Sequence, residues 1–183
     1  VFSNIGGLAR SSLAKVNPAS GAADPGFQML TDSSVSALLA NGASLFVGGF
    51  FTQVNAEERI GLARLNAMNG ANLSSPLSTR QPSITALARQ PDGATLIGGG
   101  FVRPGSTMRN LVRVAPSGAF DLGYNPAPNG QVGAIVVGAT GESYVSGVFS
   151  TIGGLNRNGL ARLNLDGSAD AGFNASLNCR TSG

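Results

Sequence analysis

Phe2-Ser-Asn-Ile-Gly-Gly-Leu-Ala-Arg10 returns far along the chain as Phe149-Ser-Thr-Ile-Gly-Gly-Leu-Asn-Arg157, 147 residues later. That offset divides into three steps of 49 and so predicts two intermediate copies. They begin at Phe51 and Phe101, with spacings of 49, 50 and 48 residues. Eight residues beyond each Phe stands an arginine: Arg10, Arg59, Arg109 and Arg157. A self-similarity of this period is the signature of a repeat architecture, and it sets the units as 2–50, 51–100, 101–148 and 149–183.

Each unit carries a second recurring element, an apolar run with a basic residue in third place: Leu13-Ala-Lys-Val-Asn17, Leu62-Ala-Arg-Leu-Asn66, Leu111-Val-Arg-Val-Ala115 and Leu160-Ala-Arg-Leu-Asn164. An acidic-x-Gly-aromatic signature follows at Asp24 to Phe27, Asp121 to Tyr124 and Asp170 to Phe173. The second unit departs from it with Asn72-Leu-Ser-Ser-Pro-Leu77. Each complete unit closes on two apolar segments around Asn41-Gly42, Asp92-Gly93 or Thr140-Gly141. Such pairs are hairpin signals, because glycine adopts the positive φ of a tight turn at little cost. The two hairpin arms, the Phe-x-x-Ile segment and the Leu-Ala-Arg-Leu segment make four expected strands per unit. No window sustains a helical period, so the chain reads as all-β. Four short strands in about 50 residues have the size of a propeller blade. The expected fold is a β-propeller-like array of four-stranded blades of about 49 residues, an incomplete ring of three complete units plus a half unit. Closed propellers have roughly four to eight blades. The expectation is therefore a segment of a longer array, or two chains that complete one ring, with an open sheet-stacked array or a smaller closed ring of irregular blades as the remaining readings.

Composition narrows the chemistry. Of 183 residues 27 are Gly and 11% are charged, against roughly 7% and 25% in average usage, which suits many turns and covered sheets. His and Trp are absent and there is one Cys, which excludes a Ser-His-Asp triad, a Cys-His dyad and zinc held by imidazole or paired thiolates. No run approaches the roughly 20 apolar residues of a membrane helix, so no membrane insertion is expected. Cys179 has no partner within the chain.

The run Arg157-Asn-Gly-Leu-Ala-Arg-Leu-Asn-Leu-Asp-Gly-Ser-Ala-Asp-Ala-Gly-Phe-Asn174, with Gln90-Pro-Asp-Gly-Ala-Thr-Leu-Ile-Gly-Gly99, resembles the delta-60 repeat family of bacterial β-propeller-like proteins. The resemblance covers the whole chain and implies a propeller of secreted or cell-surface proteins. It brings no agreed catalytic residues to transfer. Kelch propellers have a similar period, but their spaced Tyr and Trp fit poorly with two Tyr and no Trp.

The net charge is +3, yet eight of the twelve basic residues occupy the two repeated positions, which points to strand-bridging or to pairing with the Asp of the same unit. With no basic cluster interleaved with aromatics, no nucleic-acid partner is expected. Asp166, Ser168 and Asp170 place oxygen donors at alternate positions, as calcium loops do, but lack a third carboxylate and a nearby Glu. An Asx-closed turn accounts for them better, so no metal and no cofactor is expected. Hydrolysis by paired carboxylates needs two acids at roughly 5–10 Å, and no pair converges by sequence logic. The expectation is a non-catalytic scaffold for protein–protein contact, with a glycan-binding propeller and part of a propeller glycosidase as alternatives. Candidate contacts are positions outside the repeat pattern: Glu57, Glu58, Arg80, Arg103 and Tyr124.

Overall fold

A computed structural model describes residues 2–74, 83–102 and 107–175. These residues form fifteen strands and no helix. The Gly-marked turns fold as expected, with Gly42, Gly93 and Gly141 all at positive φ. They join β3 (Val35–Asn41) to β4 (Ser44–Gly49), β8 (Ile84–Arg89) to β9 (Thr95–Val102), and β11 (Val132–Val137) to β12 (Ser143–Gly147). The basic-centred run then adds as a third antiparallel strand: β7 (Leu62–Asn66), β10 (Arg109–Val114) and β15 (Leu160–Leu163). The sheets are thus β3-β4-β7, β8-β9-β10 and β11-β12-β15, called I, II and III. The fourth place in each is a single bridge: Leu65 to Asn72, Val114 to Phe120 and Leu163 to Ala169.

The Phe-x-x-Ile segment corrects the strand assignment. Instead of lining a blade sheet, it folds back on itself as a two-by-two hairpin: β1 (Asn4–Ile5) with β2 (Leu8–Ala9), β5 (Gln53–Val54) with β6 (Glu57–Glu58), and β13 (Thr151–Ile152) with β14 (Leu155–Asn156). The cause is two consecutive residues at positive φ, Gly6-Gly7, Asn55-Ala56 and Gly153-Gly154. That is the geometry of a two-residue type I′ turn. Each sheet therefore takes its hairpin from one repeat unit and its third strand from the next.

The sheets stack in chain order, with β3, β8 and β11 side by side. Each sheet has a forward face toward the next sheet and a rear face toward the previous one. The forward contact is close because glycine sits at its centre: a Cβ on Gly48 would lie 2.5 Å from Ile84 Cγ2, and one on Gly98 would lie 2.6 Å from Val132 Cγ1. Hydroxyls clamp the same junctions. Ser36 Oγ donates to the Ile84 carbonyl and Thr85 Oγ1 to the Val132 carbonyl, each at 2.6 Å. Further along, Asn41 Nδ2 donates to the Gly93 carbonyl at 2.8 Å and Gln90 Nε2 to that of Gly141 at 3.0 Å.

The cores lie between the sheets. Leu62 of sheet I packs with Ile84, Ile97 and Val112 of sheet II. Leu96, Leu111 and Tyr124 pack with Val132, Val145, Ala161 and Leu163 of sheet III. Phe27, Met29 and Leu13 cover Val47, Ala63 and Leu65 on the rear of sheet I. At about 1.5–3 kcal/mol for each fully buried large side chain, these interlayer contacts are the main favourable contribution to the stack.

Candidate interaction surface

Seven of the eight repeated basic residues make side-chain contacts within the fold, and Arg109 is exposed at the start of β10. Lys15 Nζ meets Asp24 Oδ2 at 3.0 Å, Arg113 Nη1 meets Asp121 Oδ2 at 2.5 Å, and Arg162 Nε donates to Asp170 Oδ2 at 2.6 Å. Arg64, whose unit lacks the aspartate, donates from Nε to Ser44 Oγ at 2.9 Å and lies over the Phe46 ring. The other repeated position is held by carbonyls in three of the four units. Buried Arg157 donates to Asn156 and Asp170, Arg10 to Ala9 and Asp24, and Arg59 to Glu58.

The aspartates have two roles each. Oδ1 of Asp24, Asp121 and Asp170 accepts the amide of Gly26, Gly123 and Gly172, closing the turn that presents the aromatic residue. The Lys15 ammonium and the Gly26 amide hold Asp24 below the ordinary carboxylate range, and Arg162 and Gly172 do the same for Asp170.

Of the sequence candidates, Glu57 and Glu58 sit exposed on β6, and Glu57 Oε2 accepts from Arg59 at 2.6 Å. Arg80, Arg103 and Cys179 lie outside the described residues. Tyr124 requires correction as a surface contact: it is 1% exposed, its ring wedged between sheets II and III beside Gly167 and under Arg113. Burial pushes its phenol upward in pKa, an effect that the neighbouring Ser143 hydroxyl opposes.

The Asp166 carboxylate accepts the Ser168 amide at 2.9 Å and its hydroxyl at 2.7 Å, and Asp170 turns to Arg162. The three oxygens of the calcium alternative are thereby committed to a turn and an ion pair. Among the described residues no three acidic or thiol groups cluster as a metal site would require. Two acids do meet, Asp92 and Asp121, but around the guanidinium of Arg113, which contacts both.

The feature that sequence reasoning missed is the forward face of sheet III. Cross-strand register puts Ala134, Ser146 and Leu160 in one row and Val136, Tyr144 and Arg162 in the next. Tyr144 and Phe173 meet edge to face at 5.6 Å, and Arg162 lies over the Phe173 ring. Val136 is 64% exposed and Ala134 is exposed, whereas their equivalents in sheet II, Ala88 and Ala86, are buried. The repeat alignment could have found it, since Phe173 stands where Phe27 and Tyr124 are each 1% exposed.

No curated protein matches the chain. Residues 44–71, 90–124 and 128–173 match a β-propeller family described as a domain of unknown function, DUF5122. Those segments contain the hairpins, basic-centred strands and Asp-x-Gly-aromatic turns just described, and the chain belongs to this β-propeller family of delta-60-like repeats.

Proposed function

We propose that the chain is a non-catalytic scaffold that mediates protein–protein contact or the assembly of a larger complex, outside the cell or at its surface. The observation that supports this reading is the apolar forward face of sheet III, where Ala134, Val136, Tyr144, Leu160 and Phe173 keep a core-like composition with no covering sheet among the described residues. Contiguous exposed apolar surface of this kind marks interaction sites. Where charged residues gather they hold turns and strands, as Arg113 does between Asp92 and Asp121.

A glycan-binding reading is favoured by one observation, the half-buried Tyr144–Phe173 pair beside Arg162 and Asp170, which offers ring faces next to polar groups. One experiment separates the readings. The purified chain and its Val136→Asp variant are used as bait on cell-surface extracts with chemical cross-linking, in parallel with a glycan array and a panel of chromogenic glycosides. A protein captured by the chain and lost with the variant supports the scaffold. Glycan binding or glycoside hydrolysis without protein capture overturns it.

A further inference from the structure

Two face types meet twice inside this molecule, forward of I on rear of II and forward of II on rear of III. Both types also occur without a covering sheet among the described residues. The uncovered forward face is that of sheet III. The uncovered rear face is the β3 side of sheet I, where Leu38 is 49% exposed and Ala40 is exposed, although the strands beyond it are covered by Leu13, Phe27 and Met29. Leu87 and Ile135, which occupy the place of Leu38 in the other sheets, pack into interlayer cores. Leu160 is likewise half-buried where Leu62 and Leu111 are fully buried.

We propose that a second copy of this chain docks here head to tail, the forward face of sheet III in one copy against the β3 side of sheet I in the other. This rests on the scaffold reading and names its partner. The occupant follows from continuity with the internal junctions: the molecule carries both complementary halves of an interface it already forms twice. The net charge of the forward face does not oppose it, because Arg162 is paired with Asp170 within the face.

Three substitutions set this junction apart from the internal ones. Ser146 replaces the close-contact glycines Gly48 and Gly98. Gly133 replaces the clamping hydroxyls of Ser36 and Thr85, and Gly138 stands in the place of Gln90. A side chain at the point of closest approach and the loss of two donors loosen the contact. The association is therefore reversible and concentration-dependent, not permanent.

Sedimentation velocity and native mass spectrometry of the 183-residue chain from about 1 to 300 µM test this. The expected result is a multimer fraction that grows with concentration. Val136→Asp and Leu38→Asp each weaken it by about tenfold or more, and Ser146→Gly strengthens it. An equimolar mixture of the two aspartate variants forms one-to-one pairs, because each supplies the face that the other lacks. Both sites are exposed, and circular dichroism checks folding; Ala134→Lys is a second forward-face variant. A monodisperse monomer at every concentration overturns the proposal and leaves the face to another occupant, with the scaffold reading judged by its own capture experiment. Association weakened by Val136→Asp but indifferent to Leu38→Asp overturns it as well, since that pattern belongs to a symmetric forward-to-forward contact.

Discussion

Arg162 Nε donates to Asp170 Oδ2 at 2.6 Å while Oδ1 of the same carboxylate accepts the Gly172 amide at 2.7 Å, so one side chain both closes a turn and ties it to a strand. The same double contact recurs at Asp24 and Asp121. The ion pair is partly exposed, and such pairs contribute little; the turn is the larger role. Asp170→Asn retains an oxygen for the Gly172 amide and is expected to lower Tm less than Asp170→Ala, which loses both contacts. Thermal denaturation of the two variants checks the order, and equal losses would assign the effect to the ion pair instead.

Below about pH 8 stability is expected to fall only on the acid side, since the buried Tyr124 phenol, pushed upward in pKa, titrates well above that range. Asp24, Asp32, Asp166 and Asp170 are all held below the ordinary aspartate value of 3.8, chiefly by side-chain hydrogen bonds to Lys15, Thr52, Ser168 and Arg162 respectively. A carboxyl with a depressed folded pKa stabilises fully above its unfolded value, and that contribution is lost as pH falls through the folded one. With no histidine, nothing of ordinary pKa titrates near pH 6. Tm measured against pH should be level from about pH 5 to 8 and drop below about pH 4. Asp32→Asn, which keeps an acceptor for the Thr52 and Gln53 amides as Asn129 does for Ser150 and Thr151, should reduce the acid sensitivity.

The two-by-two hairpins give a backbone test free of packing effects. Gly154 has φ +81° with no atom within 4 Å of where a Cβ would stand, so Gly154→Ala introduces strain and no clash. It should cost about 1 kcal/mol. Ala56 occupies the equivalent place with φ 63°, and Ala56→Gly should stabilise by roughly 0.5–1 kcal/mol. Paired thermal or urea denaturation curves decide this; an unchanged midpoint for Ala56→Gly would show that the hairpin does not carry the strain.

That contrast explains what sequence alone conveys. Hairpins at Asn41-Gly42 and Asp92-Gly93 are legible because the turn and its flanking strands are adjacent in the chain. The Gly6-Gly7 pair carries an equally local signal, but its meaning depends on where the next sheet lies. The repeat length and the Phe positions do not reveal that β7 pairs with a hairpin from the preceding unit. Burial of Tyr124 is a property of sheet III as much as of its own turn. The exposed forward face is invisible to a periodic reading for the same reason: Phe173 repeats a core aromatic, and only its missing neighbour distinguishes it.

Tyr124 also tests the energetics of the junction between sheets II and III. Its hydroxyl and that of Ser143 are both buried and lie next to each other, without good hydrogen-bond geometry between them. A poorly aligned hydrogen bond contributes less than the usual net of about 1 kcal/mol and does not offset the cost of burying the hydroxyl, so removing it should not destabilise the stack. Tyr124→Phe is expected to be neutral or to stabilise by up to about 1 kcal/mol, while Tyr124→Ala should cost about 3–5 kcal/mol through the cavity it leaves. Urea denaturation followed by far-UV circular dichroism reads both. A clear loss in Tyr124→Phe would reveal a hydrogen bond to the phenol.

Gly98 and Val132 supply the sharpest account of why the sheets stack as they do. Gly98 does not have positive φ, so its substitution introduces no backbone strain, but a Cβ there would lie 2.6 Å from Val132 Cγ1 and 3.0 Å from Ile135 Cδ1. Real Cβ contacts are not that short, and one sheet must move. Overpacking of this kind costs about 1–3 kcal/mol, and moving sheet III would also stretch the 2.6 Å bond from Thr85 Oγ1 to the Val132 carbonyl. Val132→Ala alone should cost about 1–3 kcal/mol by removing buried methyl groups. In the double variant the added methyl at 98 enters the space vacated at 132. The cost of the double variant Gly98→Ala, Val132→Ala should therefore fall short of the sum of the two single costs by at least about 0.5 kcal/mol, the threshold at which coupling is distinguishable from additivity. Additive losses would mean that the junction yields elsewhere and that the close approach at Gly98 does not set the sheet spacing.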